Sequence, residues 1–94
     1  MPMLNAEQKE ELRHAVLTAL ALRHPAALHA RQLVRAVAKE LPYAVTAEDV
    51  AAACELLAGL TPPLAAPIDD PLGSSRLWRA SSAGVLQAER EELR

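Results

Sequence analysis

Two prolines cut the first sixty residues of this 94-residue chain into three stretches and limit how far each can run as a helix. A proline ring removes a backbone donor and disfavours helical geometry at the residue before it, so Pro25 closes the first stretch at His24 and Pro42 closes the second. Within those limits the apolar residues recur at steps of three and four. Leu12, Ala15, Val16, Ala19 and Leu20 mark the first helix; Ala30, Leu33, Val34, Val37, Ala38 and Leu41 the second; Val50, Ala53, Cys54, Leu57 and Leu60 the third. Asn5 with Gln8, and Thr46 with Asp49, have the spacing of an N-cap and its reciprocal partner, while Gly59 suits a helix terminus. From Ala15 to Leu22 only Thr18 is polar, so the first helix is either central to the fold or half of a dimer contact.

Beyond Leu60 the texture changes. Pro62, Pro63 and Pro67, then Asp69-Asp70-Pro71 and Gly73-Ser74-Ser75, supply turn chemistry around two short runs. Leu64 to Ile68 and Arg76 to Ala80 are expected to pair as a hairpin, with Pro67 confining the first to an edge. Ser81 or Ser82 can cap a last helix through Val85, Leu86 and Leu93. The fold class expected is mostly α with a small β-hairpin, an α+β domain over residues 1–94.

Composition agrees with that order. The chain has 20 Ala and 16 Leu, no Phe, one Trp (Trp78) and one Tyr (Tyr43), which favours closely packed helices over a large aromatic-filled sheet. At 51% apolar and 23% charged it is an ordinary globular mixture. A lone cysteine, Cys54, excludes an internal disulfide framework and a multi-cysteine zinc site. The longest apolar run is far too short to cross a bilayer, and Met-Pro-Met-Leu lacks the basic start of a secretion signal, so a cytoplasmic protein with no membrane partner is expected.

Leu56-Leu57-Ala58-Gly59-Leu60, followed by Gly73-Ser74-Ser75-Arg76-Leu77-Trp78-Arg79-Ala80-Ser81-Ser82-Ala83-Gly84, resembles the end of the third helix and the second wing strand of the winged-helix superfamily of bacterial transcription regulators. The match runs from roughly Ala6 to Arg90. It implies a three-helix core, a wing and a C-terminal helix. It also implies DNA binding, with the second and third helices as a helix-turn-helix, the third in the major groove and the hairpin along the backbone.

The charges do not simply follow that expectation. Residues 46–75 carry Glu48, Asp49, Glu55, Asp69 and Asp70 with no Lys or Arg, a net of minus five. With its apolar stripe turned inward, the third helix presents Ala47, Glu48, Ala51, Ala52 and Glu55, a small and acidic surface where phosphates call for cations. Glutamate can accept from cytosine and alanine can touch a thymine methyl, so the face can still read bases. Positive charge lies instead on Arg31, Arg35 and Lys39 of the second helix and on Arg76 and Arg79 of the hairpin, which are the expected nucleic-acid contacts. An arginine stripe opposite an apolar one is also the ordinary solvated face of a surface helix. Two functions follow: a small DNA-binding regulator or accessory acting as a homodimer, or an interaction module whose third helix docks on a protein partner. Dimer contacts are expected on the first helix and on Leu86 and Leu93 of the last.

No catalytic constellation stands out, and the chain is not expected to be an enzyme or to carry a cofactor. His14 and His24 do not share a helix face, and His24 and His29 flank Pro25 without a carboxylate or cysteine at ligand spacing, so no metal site is expected. Cys54 falls on an apolar stripe as a small hydrophobe, the serines occupy turn and cap positions, and Trp78 is expected to pack between the hairpin and the first helix.

Overall fold

A computed structural model describes residues 4–69, Leu72 and 76–92. The Asn5 capping box forms: Gln8 N donates to Asn5 Oδ1 at 2.8 Å and Asn5 N to Gln8 Oε1 at 3.0 Å. It opens helix α1 (Ala6–Arg23), which ends where the residue before Pro25 turns extended, with His24 at ψ 135°. Helix α2 is Ala30–Ala38 and helix α3 is Ala47–Ala58. The second expected box opens α3, with Asp49 N donating to Thr46 Oγ1 at 3.1 Å and Thr46 N to Asp49 Oδ2 at 3.0 Å. A short strand β1 (Leu28–His29) precedes α2; strands β2 (Ala65–Asp69) and β3 (Arg76–Ala80) and helix α4 (Ser82–Glu92) complete the chain. The arrangement is α+β and winged-helix-like, four helices with one antiparallel sheet in the order β1-β3-β2.

The core follows the stripes read from the sequence, with Leu17 added to that of α1, whereas Leu60, expected on the α3 stripe, lies past the end of that helix and is 41% exposed. Leu12, Val16, Leu17 and Leu20 of α1, Leu33 and Val37 of α2, and Val50, Ala53, Cys54 and Leu57 of α3 are buried. α1 packs against α2, α3, α4 and β3. Its nearly all-round apolar character therefore belongs to a central position in the fold. Trp78 is 3% exposed on the middle strand, paired with Leu28 on one side and Pro67 on the other.

Three expectations shift. α2 stops at Ala38, ahead of Leu41, because the chain tightens: Val37 O accepts from both Glu40 N at 2.9 Å and Leu41 N at 3.2 Å. Ala38 consequently lies at the end of the helix and is exposed. The hairpin pairs Ala65 with Ala80 through Asp69 with Arg76, one residue later than Leu64 at its start. β1 is a third strand that two residues could not announce by periodicity. Asp70, the Gly73-Ser74-Ser75 turn and Leu93 lie outside the described residues.

Of the two candidate caps for α4, Ser81 serves. Its Oγ accepts from Gly84 N at 3.0 Å and donates to Pro63 O at 2.6 Å, while its own N donates to Leu64 O at 3.1 Å. This joint brings α4 so close to the 63–64 backbone that a Cβ on Gly84 would land on the Leu64 carbonyl oxygen and within 3.0 Å of its carbon. Across the molecule, His14 Nδ1 meets Glu91 Oε2 at 2.8 Å, tying α1 to α4. Gly84→Ala is expected to destabilise the fold by about 3 kcal/mol, the top of the range for overpacking, because backbone cannot yield as a side chain can. Gly59 sits at φ −85° with room for a methyl group, its nearest neighbours 3.5 and 3.6 Å away. Gly59→Ala should raise stability by about 0.5 kcal/mol. Thermal unfolding followed by circular dichroism reads both signs.

Candidate nucleic-acid interface

α2 carries Arg31 and Arg35 one turn apart, on the face opposite buried Leu33 and Val37. α3 carries Ala47, Ala51 and Glu55 at the same spacing, beside buried Val50, Ala53, Cys54 and Leu57. Alternation along β3 places Arg76 on the same side as Trp78 and Ala80. These three sets line one groove of about 1000 Å³, with His29, Ala30 and Gln32 completing the α2 end and Trp78 at its back. Arg76 lies over the Trp78 ring, its Cζ 5.8 Å from the ring centroid, a cation–π contact within the groove.

Six of the ten residues singled out from the sequence thus come together: Arg31, Arg35, Arg76, Ala47, Ala51 and Glu55. The other four stand apart. Arg79 is exposed on the opposite face of β3 from Arg76, since three residues along a strand reverse the side. Lys39 follows the early end of α2 and borders a different cleft, with Glu7, Glu10 and Glu11 of α1. Glu48 and Ala52 are exposed on α3 but do not line the groove. Gln32 was not singled out from the sequence; its Oε1 accepts from His29 N at 2.9 Å and caps α2, a role legible only as the spacing of a capping box.

Three guanidiniums face one carboxylate, so the groove is cationic. Among the described residues no carboxylate is ion-paired with Arg31, Arg35 or Arg76. Asp69 stands opposite Arg76 in the hairpin register and is exposed. The acidic surface of α3 is as expected from its stripe, with Glu48 and Glu55 both turned to solvent.

The remaining candidates take structural places. His24 Nδ1 contacts Ala80 O at 3.0 Å and so must carry the donor proton, fastening the end of α1 to β3. His29 lies in β1, and among the described residues no three His, Cys, Asp or Glu side chains gather as a metal site would need. No described helix is long and apolar enough to cross a membrane. Compared with family models, curated proteins and solved structures, the chain matches none of them.

Cys54 is fully buried, and burial, with a smaller push from Glu55, raises its thiol to about 12. The thiolate is the reactive form, so the native thiol should be inert near neutral pH. A thiol-specific reagent is expected to label Cys54 only at the rate at which the domain opens, and to label it fully in denaturant; rapid labelling of the folded chain contradicts the packing of α3.

Proposed function

We propose that this chain is a small winged-helix DNA-binding protein, a transcriptional regulator or an accessory of one, as its resemblance to that superfamily implies. The observation that supports this best is the meeting of Arg31 and Arg35 with Arg76, from elements more than forty residues apart, in one groove beside the outward face of α3. Clustered guanidiniums are the electrostatic footprint of phosphate binding. Lys39 and Arg79, on other faces, are peripheral to it.

A second reading is supported by a different observation. Exposed Glu48, Ala52 and Glu55 give α3 a small, acidic surface, suited to a basic protein partner. The two readings separate on binding to duplex DNA. Three phosphate contacts per protomer set a slope of log K against log salt near −2.7, from about −0.9 for each contact. Under the first reading Arg35→Ala reduces that slope by about one, Arg79→Ala leaves it unchanged, and replacing Glu48 and Glu55 together by lysine tightens binding. Fluorescence anisotropy with random duplex checks all three. No binding by the natural chain at low salt, about 50 mM, rejects the first reading and leaves the second.

The DNA-binding form is taken to be a homodimer, with a second copy of this chain seated on the cleft that Lys39 borders. That cleft is separate from the arginine groove and contains Leu22, 77% exposed, with Leu56 and Leu60, 45% and 41% exposed. Its rim is acidic at the start of α1, with Glu7, Glu10 and Glu11, and basic at Arg23 near its end. A two-fold axis across α1 sets those unlike charges against each other. Leu86, expected in the contact from the sequence, is exposed on α4 but does not line this cleft. Light scattering is expected to give twice the chain mass for the natural protein and for Leu86→Glu, and the single mass for Leu22→Glu. A single mass for the natural chain at every concentration removes the dimer.

A further inference from the structure

The charge in the groove is divided by wall. Arg31 and Arg35 stand on the α2 wall and Arg76 on the β3 wall, whereas the α3 wall presents Ala47, Ala51 and Glu55. Glu55 is exposed, and among the described residues its carboxylate takes part in no ion pair or hydrogen bond. An uncompensated carboxylate beside three guanidiniums weakens a surface built only for phosphates. It suits a ligand with anionic groups along its rim and a hydrogen-bond donor between them.

Duplex DNA has that layout. Phosphates line the edges of the major groove and base edges form its floor. The four bases differ in what they offer a carboxylate there. Guanine and thymine present only acceptors; adenine sets its N7 acceptor beside its amino donor, a pair that suits an amide. Cytosine alone presents a donor, its N4 amino group, with no acceptor beside it. Ala47 and Ala51, two turns and one turn before Glu55, keep that wall low, so base edges can approach the backbone of α3.

We propose that Glu55 is a specificity-determining residue that accepts a hydrogen bond from cytosine N4 in the major groove, while Arg31, Arg35 and Arg76 hold the flanking phosphates. The assignment rests on the DNA-binding reading above and adds to it the base that is read.

Competition anisotropy on the full chain tests it with three alternating polymers: poly(dI·dC), poly(dA·dT), and poly(dI·dC) carrying N4-methylcytosine. Inosine lacks the minor-groove amino group of guanine, so the first two polymers differ chiefly in the major groove. The natural chain is expected to prefer poly(dI·dC) over poly(dA·dT) by about tenfold. That preference should vanish with N4-methylcytosine and in Glu55→Ala, yet persist in Glu48→Ala, whose carboxylate lies outside the groove. Both variants alter exposed side chains, and circular dichroism confirms that they fold. A preference that survives in Glu55→Ala belongs to the arginines reading inosine and overturns the assignment. So does a Glu55→Ala variant that merely binds every polymer more tightly by one common factor. Binding without any preference in the natural chain overturns the assignment alone, whereas no binding to any polymer at about 50 mM salt overturns the DNA reading and the assignment with it.

Discussion

The central position of α1 organises this molecule. The helix meets α2, α3, α4 and β3, and Leu12, Val16, Leu17 and Leu20 have almost no exposed surface. A core without phenylalanine must be filled by leucine, valine and alanine side chains, so helices have to come close, and Ala15 and Ala53 are buried along with the larger residues. Packing α3 against α1, α2 and β2 takes up Val50, Ala53, Cys54 and Leu57. What α3 can show a partner is therefore fixed by subtraction: Ala47, Glu48, Ala51, Ala52 and Glu55. The acidity of that surface follows from the sequence once the packing is set.

The cationic side has a different origin. His29 pairs with Leu77 in the sheet and immediately precedes the first residue of α2. The two-residue strand thus pins the start of α2 beside β3, where Arg31 and Arg35 find Arg76. The sheet is in turn held to the helices by the joint around Ser81, which connects α4 to the backbone of Pro63 and Leu64. Gly84 permits that approach. A change at the joint is therefore expected to alter stability and the placement of Arg76 together, although Gly84 itself lines no part of the groove.

Most of the helical architecture was legible because it rests on local rules. Period, proline and capping spacing located α1 and α3 to within a residue or so, and the stripe on α3 separated its inward from its outward residues. The hairpin was legible from turn chemistry. β1 was not, since two residues carry no period and the pairing partner lies about fifty positions away. The five cations form one set in the sequence, yet a strand reverses its face every residue, so Arg79 parts from Arg76, and Lys39, at the C-cap of α2, borders the other cleft. The contact of His14 with Glu91 spans α1 and α4, and that of His24 with Ala80 spans α1 and β3. Tertiary packing makes both, and no local pattern announces them.

Magnitudes decide whether an acidic α3 and DNA binding are compatible. One carboxylate about 8 Å from a phosphate is repelled by about 0.5 kcal/mol at the dielectric of water and about 2 kcal/mol at an effective value near 20. Salt reduces this further at separations close to the Debye length. Three phosphate contacts contribute about 2.7 units to the salt exponent, which at 50 mM salt corresponds to about 3.5 powers of ten in affinity, or nearly 5 kcal/mol. Attraction wins, but a single protomer is left near millimolar. Doubling the contacts in a two-fold assembly doubles the exponent and raises the electrostatic term to about seven powers of ten at the same salt. Under the proposed DNA-binding reading the arginine groove would therefore suffice for a dimer and be marginal for a monomer, which ties that reading to the proposed seating of a second copy on the cleft bearing Leu22, Leu56 and Leu60.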